Sequence, residues 1–259
     1  MDYTMEKEHM HDIIIVTGAS SGIGAATARI LGAQGAKVVV NYLNSRALAE
    51  GVVEEVHQLG GEAIAVQGNM GSEADIVRLY EETDRAFGAV TGVVNNAAVN
   101  SATHHKLADY SFEEVMRVLG VNTAGVLISC REAAKRMSTR HGGKGGAIVN
   151  VSSIGALTGS PGRFVHYAGS KAAVDTITMG LGVELARDGI RINAIRPGMV
   201  DTPMHAKTGQ ADRVAEAASS TPLGRAGRPE EVAESIVWLL SDKASLVTGA
   251  VLNVMGAQR

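Results

Sequence analysis

Short apolar runs alternate with longer amphipathic segments along the whole chain. Runs such as IIIV, KVVVNY and AIVNV are apolar and β-branched on both faces, which is typical of parallel strands covered by helices on either side. We predict strands at 13–16, 37–42, 63–67, 92–95, 147–151, 191–195 and 250–254. The intervening segments have helical spacing, so the pattern predicts an α/β fold with one doubly wound parallel sheet of about seven strands and helices on both faces.

Residues that favour helix ends stand at the borders of these segments. IGAATARILGAQG and SEADIVRLYEETDRAFG end near Gly35 and Gly88, and glycine is the residue that helix C termini prefer. SFEEVMRVL opens with Ser111 and Glu114 at capping-box spacing, and Pro229 suits a first helical turn. No repeat, linker or break in composition divides the chain, so we expect a single domain over residues 13–259 after a flexible tail over 1–12.

Charge and composition narrow the class of partner. The 259 residues carry a formal net charge of −3 without a basic run, which argues against nucleic acid or an anionic membrane as a partner. No apolar run reaches the roughly 18 residues of a membrane span, and the polar N-terminal segment lacks the apolar core of a secretion signal. The single cysteine, Cys130, lies in a helical pattern and suits a reducing compartment as a buried structural thiol. We expect a cytoplasmic protein.

A glycine-rich turn, TGASSGIG, follows the first predicted strand and opens a helix. Gly18 permits a tight turn, Gly22 the close approach of a pyrophosphate, and Gly24 close packing of the helix on the sheet. A plain Gly/Ser turn is the alternative interpretation. In this position the motif predicts dinucleotide binding by Gly18, Ser20, Ser21, Gly22, Ile23 and Gly24.

The end of the second strand bears on the choice of cofactor. An NAD-selective site usually places an acidic side chain there, which binds the ribose 2′-hydroxyl and repels a 2′-phosphate. This chain has Asn41 followed by Tyr42, with Arg46 nearby to attract a phosphate. We therefore expect NADP(H) to be favoured over NAD(H), while a solvated Arg46 at a helix start remains the alternative.

A tyrosine and a lysine four residues apart, Tyr167 and Lys171, stand in HYAGSKAAV. A phenol has a reference pKa near ~10, and an ammonium one helical turn away favours the phenolate. Such a pair suits general acid–base chemistry near neutral pH, although it also occurs in ordinary amphipathic helices. Together with the glycine turn, the serine pair Ser152–Ser153 and Asn122, it points to hydride transfer.

In their order and spacing these motifs resemble those of the short-chain dehydrogenases/reductases, from residue 13 to residue 255. The landmarks are TGASSGIG, NNAA at 95–98, Asn122 in GVNTAG, Ser153 in VNVSS, YAGSK, and RPGMVDTP at 196–203. Stretches such as GGEAIAV and LLSDKASLVTG are similar to the branch of glucose 1-dehydrogenase-like and 3-oxoacyl-reductase-like enzymes. The resemblance implies a Rossmann-type fold and NAD(P)-dependent chemistry.

The resemblance also implies the catalytic roles. Tyr167 would be the general acid/base, and Lys171 would lower its pKa and bind the nicotinamide ribose. Ser153 would polarise the substrate oxygen, and Asn122 would anchor a water that links Lys171 to solvent. Ser153 lies fourteen residues before Tyr167, one more than is usual, and Ser152 is adjacent. We assign the role to Ser153 and place the extra residue in the loop GSPGRFVH.

Further cofactor contacts follow from the same resemblance, with the last four seating the nicotinamide carboxamide. They are Asn69, Met70, Asn96, Ala97, Ala98, Pro197, Gly198, Val200 and Thr202. The chain departs from the family pattern at three places: Ala98 replaces a glycine, Asn69 an acidic residue, and Met255 an aspartate. These changes leave the four catalytic positions intact.

The leading hypothesis is an NADP(H)-dependent oxidoreductase acting on a small-molecule carbonyl or secondary alcohol. A sugar dehydrogenase working oxidatively, or a dinucleotide-binding scaffold or sensor without turnover, are the alternatives. His104, His105 and His166 lack the ligand company of a metal site, so we predict no metal. We expect His166 and Phe164 to line the substrate pocket.

Two expectations concern larger features. Residues 202–223 are rich in small residues and lack strand signals, which predicts a mobile lid with substrate contacts from Met204 or His205. The second is a homotetramer, since in the resembled family the helices over 112–137 and 167–187 pair across two-fold axes. Small residues expected on their outer faces are Ala124, Gly125, Ala172, Ala173, Gly180 and Gly182.

Overall fold

The computed structural model describes residues 13–101, 106–203 and 221–258. Within these ranges seven parallel strands form one sheet in the order β3-β2-β1-β4-β5-β6-β7. The strands are β1 (Ile13–Val16), β2 (Lys37–Tyr42), β3 (Glu62–Gln67), β4 (Gly92–Asn95), β5 (Gly146–Val151), β6 (Ile190–Pro197) and β7 (Val251–Val254). The predicted fold class is confirmed, and the predicted strand ends differ from these by two residues at most.

Helices cover both faces of the sheet. They are α1 (Gly22–Ala33), α2 (Arg46–Gln58), α3 (Glu73–Ala86), α4 (Phe112–Leu119), α5 (Gly125–Met137), α6 (Gly155–Thr158), α7 (Val165–Glu184) and α8 (Pro229–Leu240). A π-helical turn, Gly120–Ala124, joins α4 to α5. Single-turn π segments of this kind are frequent at functional sites, because they displace a side chain from the regular helical face.

The predicted helix borders match the observed ones. Gly35 and Gly88 adopt left-handed backbone conformations (φ 90° and 101°) just after α1 and α3. Ser111 caps α4 by accepting a hydrogen bond from the Glu114 backbone N–H at 3.1 Å. Pro229 is the first residue of α8, where its missing N–H has no intrahelical partner to lose.

Alternate residues of the central strands enter opposite core layers, which explains why these strands are apolar on both faces. In β1, Ile14 and Val16 pack with residues of α1, α2 and α8, whereas Ile15 packs with residues of α3 and α5. Cys130 of α5 is buried in the second layer, and burial raises the pKa of its thiol to about 12. It is a structural residue, as predicted.

The strand order reverses at β1, which pairs with β2 on one side and β4 on the other. Val16 at the end of β1 lies beside Val40 and Val94. A crevice therefore forms beyond the carboxyl ends of β1 and β4, the usual ligand position in doubly wound sheets. The glycine turn and the NNAA segment both begin there.

Two of the glycines expected on outer helix faces lie inside the protein. A Cβ on Gly125 would collide with the Met70 carbonyl, and one on Gly182 would collide with the backbone of Gly249. That expectation was wrong for these two residues, because their missing side chains serve packing within the chain. The remaining four are exposed or half-buried: Ala124, Ala172, Ala173 and Gly180.

Several predictions fall outside the described residues. These are the tail over 1–12, His104 and His105, and most of the proposed lid, including Met204 and His205. Within the described ranges no helix is both long and apolar enough to cross a membrane.

Candidate active site

A cleft with a volume of about 770 Å³ follows the carboxyl edge of the sheet and is lined by the loops after β1 to β6. Three of the four predicted catalytic residues, Ser153, Tyr167 and Lys171, line it. The predicted cofactor contacts that line it are Gly18, Ser20, Ser21, Gly22, Ile23, Asn41, Asn69, Met70, Asn96, Ala97, Ala98, Pro197, Gly198, Val200 and Thr202. Gly24, Tyr42, Arg46 and Asn122 lie outside the lining.

The glycine turn needs glycine at each of its three positions. Gly18 and Gly22 have left-handed backbones (φ 62° and 58°), which side chains disfavour. A Cβ on Gly18 would lie 2.9 Å from the Ala97 Cα, and one on Gly24 would lie 2.6 Å from the Asn96 Nδ2. Since α1 begins at Gly22, its free N–H groups face the cleft, an arrangement that suits a pyrophosphate.

Thr17, which the sequence analysis did not single out, joins the two loops that form the crevice. Its buried Oγ1 accepts hydrogen bonds from the backbone N–H groups of Asn96 and Ala97, both at 3.0 Å. The Asn96 Nδ2 donates in return to the Thr17 and Gly18 carbonyls at 2.8 and 3.1 Å. The available signal was its position at the head of the TGASSGIG motif.

The side chain of Asn41 does not take the position that the sequence argument gave it. It is 1% exposed, and its Oδ1 accepts from the Gly18 N–H at 3.1 Å. Its Nδ2 donates to the Val66 and Gly68 carbonyls, both at 3.2 Å. Asn41 therefore braces the glycine turn from beneath, and its amide is fully engaged with the backbone.

The other two residues of that argument also lie elsewhere. Tyr42 is buried in the core, and the exposed Arg46 forms an ion pair with Glu50 at 2.7 Å. The cleft wall after β2 is formed instead by residues 43–45, Leu-Asn-Ser.

Asn69 also uses its side chain locally. Its Oδ1 accepts from the Gly71 N–H at 2.9 Å, and its own N–H donates to the Asp75 Oδ2 at 2.8 Å. The side-chain oxygen of Asn69, a cofactor contact that the resemblance implied, is thus already engaged. This turn positions Met70, which is buried and lines the cleft floor.

Ser153 and Tyr167 meet at the far end of the cleft, where α7 approaches the loop after β5. Their side chains share a hydrogen bond, and Ser153 Oγ accepts from the Gly155 N–H at 3.0 Å. The neighbouring Ser152 is buried and donates to the Lys171 carbonyl at 3.2 Å. The serine beside the tyrosine is therefore Ser153.

Burial raises the pKa of Tyr167, and the hydrogen bond with Ser153 lowers it by less. The net shift is upward, opposite to the lowering by Lys171 that the resemblance implied. Lys171 Nζ lies 5.8 Å from the centroid of the Tyr167 ring and donates to the Val151 carbonyl at 2.7 Å. Burial lowers the pKa of Lys171 to about 8, against an opposing effect of Asp175.

Asn122 lies in the π-helical turn and is fully buried. Its Oδ1 accepts from the Val99 N–H, and its Nδ2 donates to the Val99 carbonyl, both at 2.9 Å. The same Nδ2 reaches the Ser170 Oγ at 3.1 Å. The amide thus links the loop after β4 to α7. Because the side chain is engaged in this way, the water that the resemblance implies at Asn122 would bind to the main chain of this residue.

Residues of the loop after β4 and of the segment before α7 line the cleft near Tyr167. Phe164 is buried and lines it, as predicted, whereas His166 lies behind Ser101. The His166 Nε2 and the Ser101 Oγ are 2.8 Å apart, and the Tyr110 ring centroid lies 4.5 Å from that of His166. His166 therefore supports the wall of the cleft through Ser101.

The loop GSPGRFVH before α7, where we place the extra residue, has an unusual backbone. Gly159, Ser160 and Gly162 all have positive φ angles, of 70°, 46° and 68°. Such a run of left-handed residues marks an irregular loop, where one added residue is tolerated more easily than within β5 or α7.

A residue near the C terminus supports the segment after β6 and was missed from the sequence. Gln258 Oε1 accepts from the Met199 N–H at 3.0 Å and lines the cleft. A Cβ on Gly198 would lie 2.8 Å from the Met255 Cα, so the C-terminal turn packs closely on this segment. Glutamine is common in loops and gave no motif to recognise.

Comparisons with known proteins agree with this geometry. A family model described as enoyl-(acyl carrier protein) reductase matches residues 18–256. The chain is 44% identical to the uncharacterized oxidoreductase YgfF of Escherichia coli K12, covering 95% of this chain and 99% of that protein. It is 40% identical to 3beta-hydroxysteroid dehydrogenase 1 of Eggerthella lenta, covering 94% and 92%. It is 38% identical to a 3-oxoacyl-[acyl-carrier-protein] reductase of Synechocystis, covering 94% and 95%.

Proposed function

The chain belongs to the short-chain dehydrogenase/reductase family and is an NAD(P)-dependent enzyme, and from this premise we propose that it interconverts a carbonyl and a secondary alcohol on a small molecule, using NADP(H). One observation carries the proposal. Ser153, Tyr167 and Lys171 line one end of a cleft whose other end is the glycine turn at the start of α1. The names of two relatives, a hydroxysteroid dehydrogenase and a 3-oxoacyl reductase, describe substrates of this class.

Tyr167 is the proposed proton donor and acceptor. Because its pKa is raised, its hydroxyl is protonated at neutral pH and can donate to a substrate oxygen during reduction. Ser153, hydrogen-bonded to it, would hold the same oxygen and stabilise the negative charge that develops there. A bound nicotinamide dinucleotide would supply or accept the hydride.

Lys171 is the proposed cationic partner of both cofactor and tyrosine. Its ammonium is buried and fixed on the Val151 carbonyl, close to the Tyr167 ring. A positive charge in this position lowers the free energy of the phenolate that forms when Tyr167 gives up its proton. With a pKa of about 8, Lys171 is mostly charged at neutral pH and loses its charge in mild alkali.

The preference for NADP(H) now rests on the segment after β2. The cleft wall at residues 43–45 contains no acidic side chain that would repel a 2′-phosphate. Arg46 begins the next helix, although its guanidinium must leave Glu50 to reach a phosphate. An exposed ion pair of this kind contributes roughly 0.2–1 kcal/mol, so exchanging Glu50 for a doubly charged phosphate is favourable.

We also propose assembly as a homotetramer through α4 and α7. Large apolar side chains are exposed on these helices, with Phe112 and Val183 both 81% exposed. Other exposed apolar side chains on these helices are Met116, Val165 and Met179. A surface of this kind suits a self-complementary two-fold interface.

A substrate screen tests the proposed activity directly. The purified protein would be assayed with NADPH and NADH against 3-oxoacyl thioesters, 3-oxosteroids and simple ketones. Sugars and secondary alcohols with the oxidised cofactors would cover the opposite direction. We expect turnover of a ketone or secondary alcohol, lost in Tyr167→Phe and more efficient with the NADP couple. Cofactor binding without turnover across all classes would favour the scaffold alternative.

A further inference from the structure

A buried ion pair lies one helical turn from Lys171. Asp175 follows Lys171 by one turn of α7 and is 4% exposed. Its Oδ2 accepts from the Arg196 Nε of β6 at 2.9 Å. Its Oδ1 is also buried and has no hydrogen-bond partner among the residues that the structure describes.

An arrangement of this kind is costly as a purely structural feature. A buried carboxylate loses its hydration, and a single partner does not replace the four acceptor sites that its two oxygens offer. Well-packed apolar residues often stabilise a core as well as such a pair does. The negative charge of Asp175, placed one helical turn from a buried ammonium, therefore suggests an electrostatic role.

We propose that Asp175 is a positioning residue for Lys171, whose carboxylate keeps the buried ammonium charged and aligned, and that Arg196 limits this effect by neutralising part of the carboxylate's charge. The proposal rests on the proposed function, where Lys171 is the cationic partner of Tyr167. Arg196 Nη1 also donates to the Asn253 Oδ1 of β7 at 3.3 Å, so β6, β7 and α7 together hold these charges in one geometry.

Among the residues that the structure describes, Asp175 is the charged group that acts on the pKa of Lys171. The π-helical turn presents the Asn122 amide, and β5 presents the Val151 carbonyl. From α4, Arg117 bonds the Asn100 carbonyl. The remaining ionisable groups on these elements are Glu113 and Glu114 in the first turn of α4, Arg191 on β6, Arg187 and Asp188 in the 3-10 turn after α7, and His166, Tyr167 and Glu184 on α7 itself.

The two substitutions predict shifts of opposite sign. Burial lowers the pKa of Lys171 and Asp175 opposes this. Asp175→Asn removes the opposing charge and leaves Arg196 as a second cation nearby, so the lysine pKa should fall by about one unit or more. Arg196→Gln leaves the carboxylate without its partner, so the lysine pKa should rise. A purely structural role would not produce opposite shifts.

The direct experiment is a pH titration by NMR of the full-length protein carrying 13Cε-labelled lysine. The Lys171 signal is assigned by its disappearance in Lys171→Met, and the titration needs neither cofactor nor turnover. We expect a lower pKa in Asp175→Asn and a higher one in Arg196→Gln. The matched control is Asp188→Asn, which removes a half-buried carboxylate that pairs with Arg140 at 2.6 Å, and should leave Lys171 unchanged.

Unchanged Lys171 titration in a folded Asp175→Asn variant would overturn the proposal. If that variant does not fold, an unchanged or lowered pKa in Arg196→Gln would overturn it equally. A second readout is the alkaline limb of kcat/KM, which should move with the lysine pKa in each variant. Opposite NMR shifts in a protein without turnover would support the charge relation and contradict the proposed function, so the two failures are distinguishable.

Discussion

Replacing Asn41 by aspartate should damage the cofactor turn rather than change which cofactor is used. The Asn41 Nδ2 donates two hydrogen bonds, to the Val66 and Gly68 carbonyls, and its Oδ1 accepts one from Gly18. A carboxylate keeps only the last of these. The two carbonyls would then face a buried negative charge, with no donor between them.

The magnitude follows from these contacts. Two lost donors, each with a net contribution of about 1 kcal/mol, give about 2 kcal/mol. Burying an unpaired carboxylate adds further cost, so the free energy of unfolding should fall by roughly 3–5 kcal/mol. A protonated carboxyl regains one donor, and burial raises the folded-state pKa of the new Asp. The deficit should therefore be smallest near pH 4 and grow as pH rises through that raised pKa.

The assay combines urea unfolding at several pH values with binding of NADPH and NADH. We expect Asn41→Asp to weaken both cofactors together, because the Gly18 turn loses its support. The matched control is Asn44→Asp, since Asn44 lines the cleft wall. That variant should unfold within about 0.5 kcal/mol of the native protein and shift preference toward NADH. An Asn41→Asp variant of native stability that prefers NADH would refute this reasoning.

Three further outcomes follow from the same contacts. Gln258→Ala removes the acceptor of the Met199 N–H and should raise the cofactor KM by roughly tenfold with little change in kcat, measured by steady-state kinetics. Gln258→Glu keeps an acceptor, so its cofactor KM should be closer to that of the native protein. His166→Leu should raise the substrate KM by roughly tenfold, and His166→Gln should recover most of it, because Gln can restore the hydrogen bond to Ser101. Val183→Glu should lower the oligomeric state seen by light scattering without altering the circular dichroism of the subunit, whereas an unchanged mass would exclude this face as the interface.

The sequence predicted the fold well because its signals are local and repeated. Runs such as IIIV in β1 are apolar at every position, short and β-branched, which is typical of a strand covered on both faces. Gly35 and Gly88 mark helix ends through their own backbone preference, which needs no knowledge of the rest of the chain. Features of this kind are visible in a window of a few residues.

The sequence predicted which residues belong to the site better than it predicted where their side chains point. Asn41 was recognised at the end of β2, but its amide turns inward to three backbone groups, one in the glycine turn and two at the end of β3. Gln258 accepts a hydrogen bond from Met199, which is distant in sequence. The amide of Asn122 donates to Val99 and Ser170. Which way a polar side chain faces depends on partners distant in sequence, and spacing along the chain does not encode it.

The measurement that tests the central claim most directly is the effect of Tyr167→Phe on turnover and on cofactor binding in the same preparation. The ring and its burial remain, and only the hydroxyl that meets Ser153 is removed. We predict that kcat falls by at least about a thousandfold, while the NADPH dissociation constant changes by less than about threefold. A variant that keeps more than about a tenth of the native kcat would contradict the assignment of Tyr167 as the general acid/base.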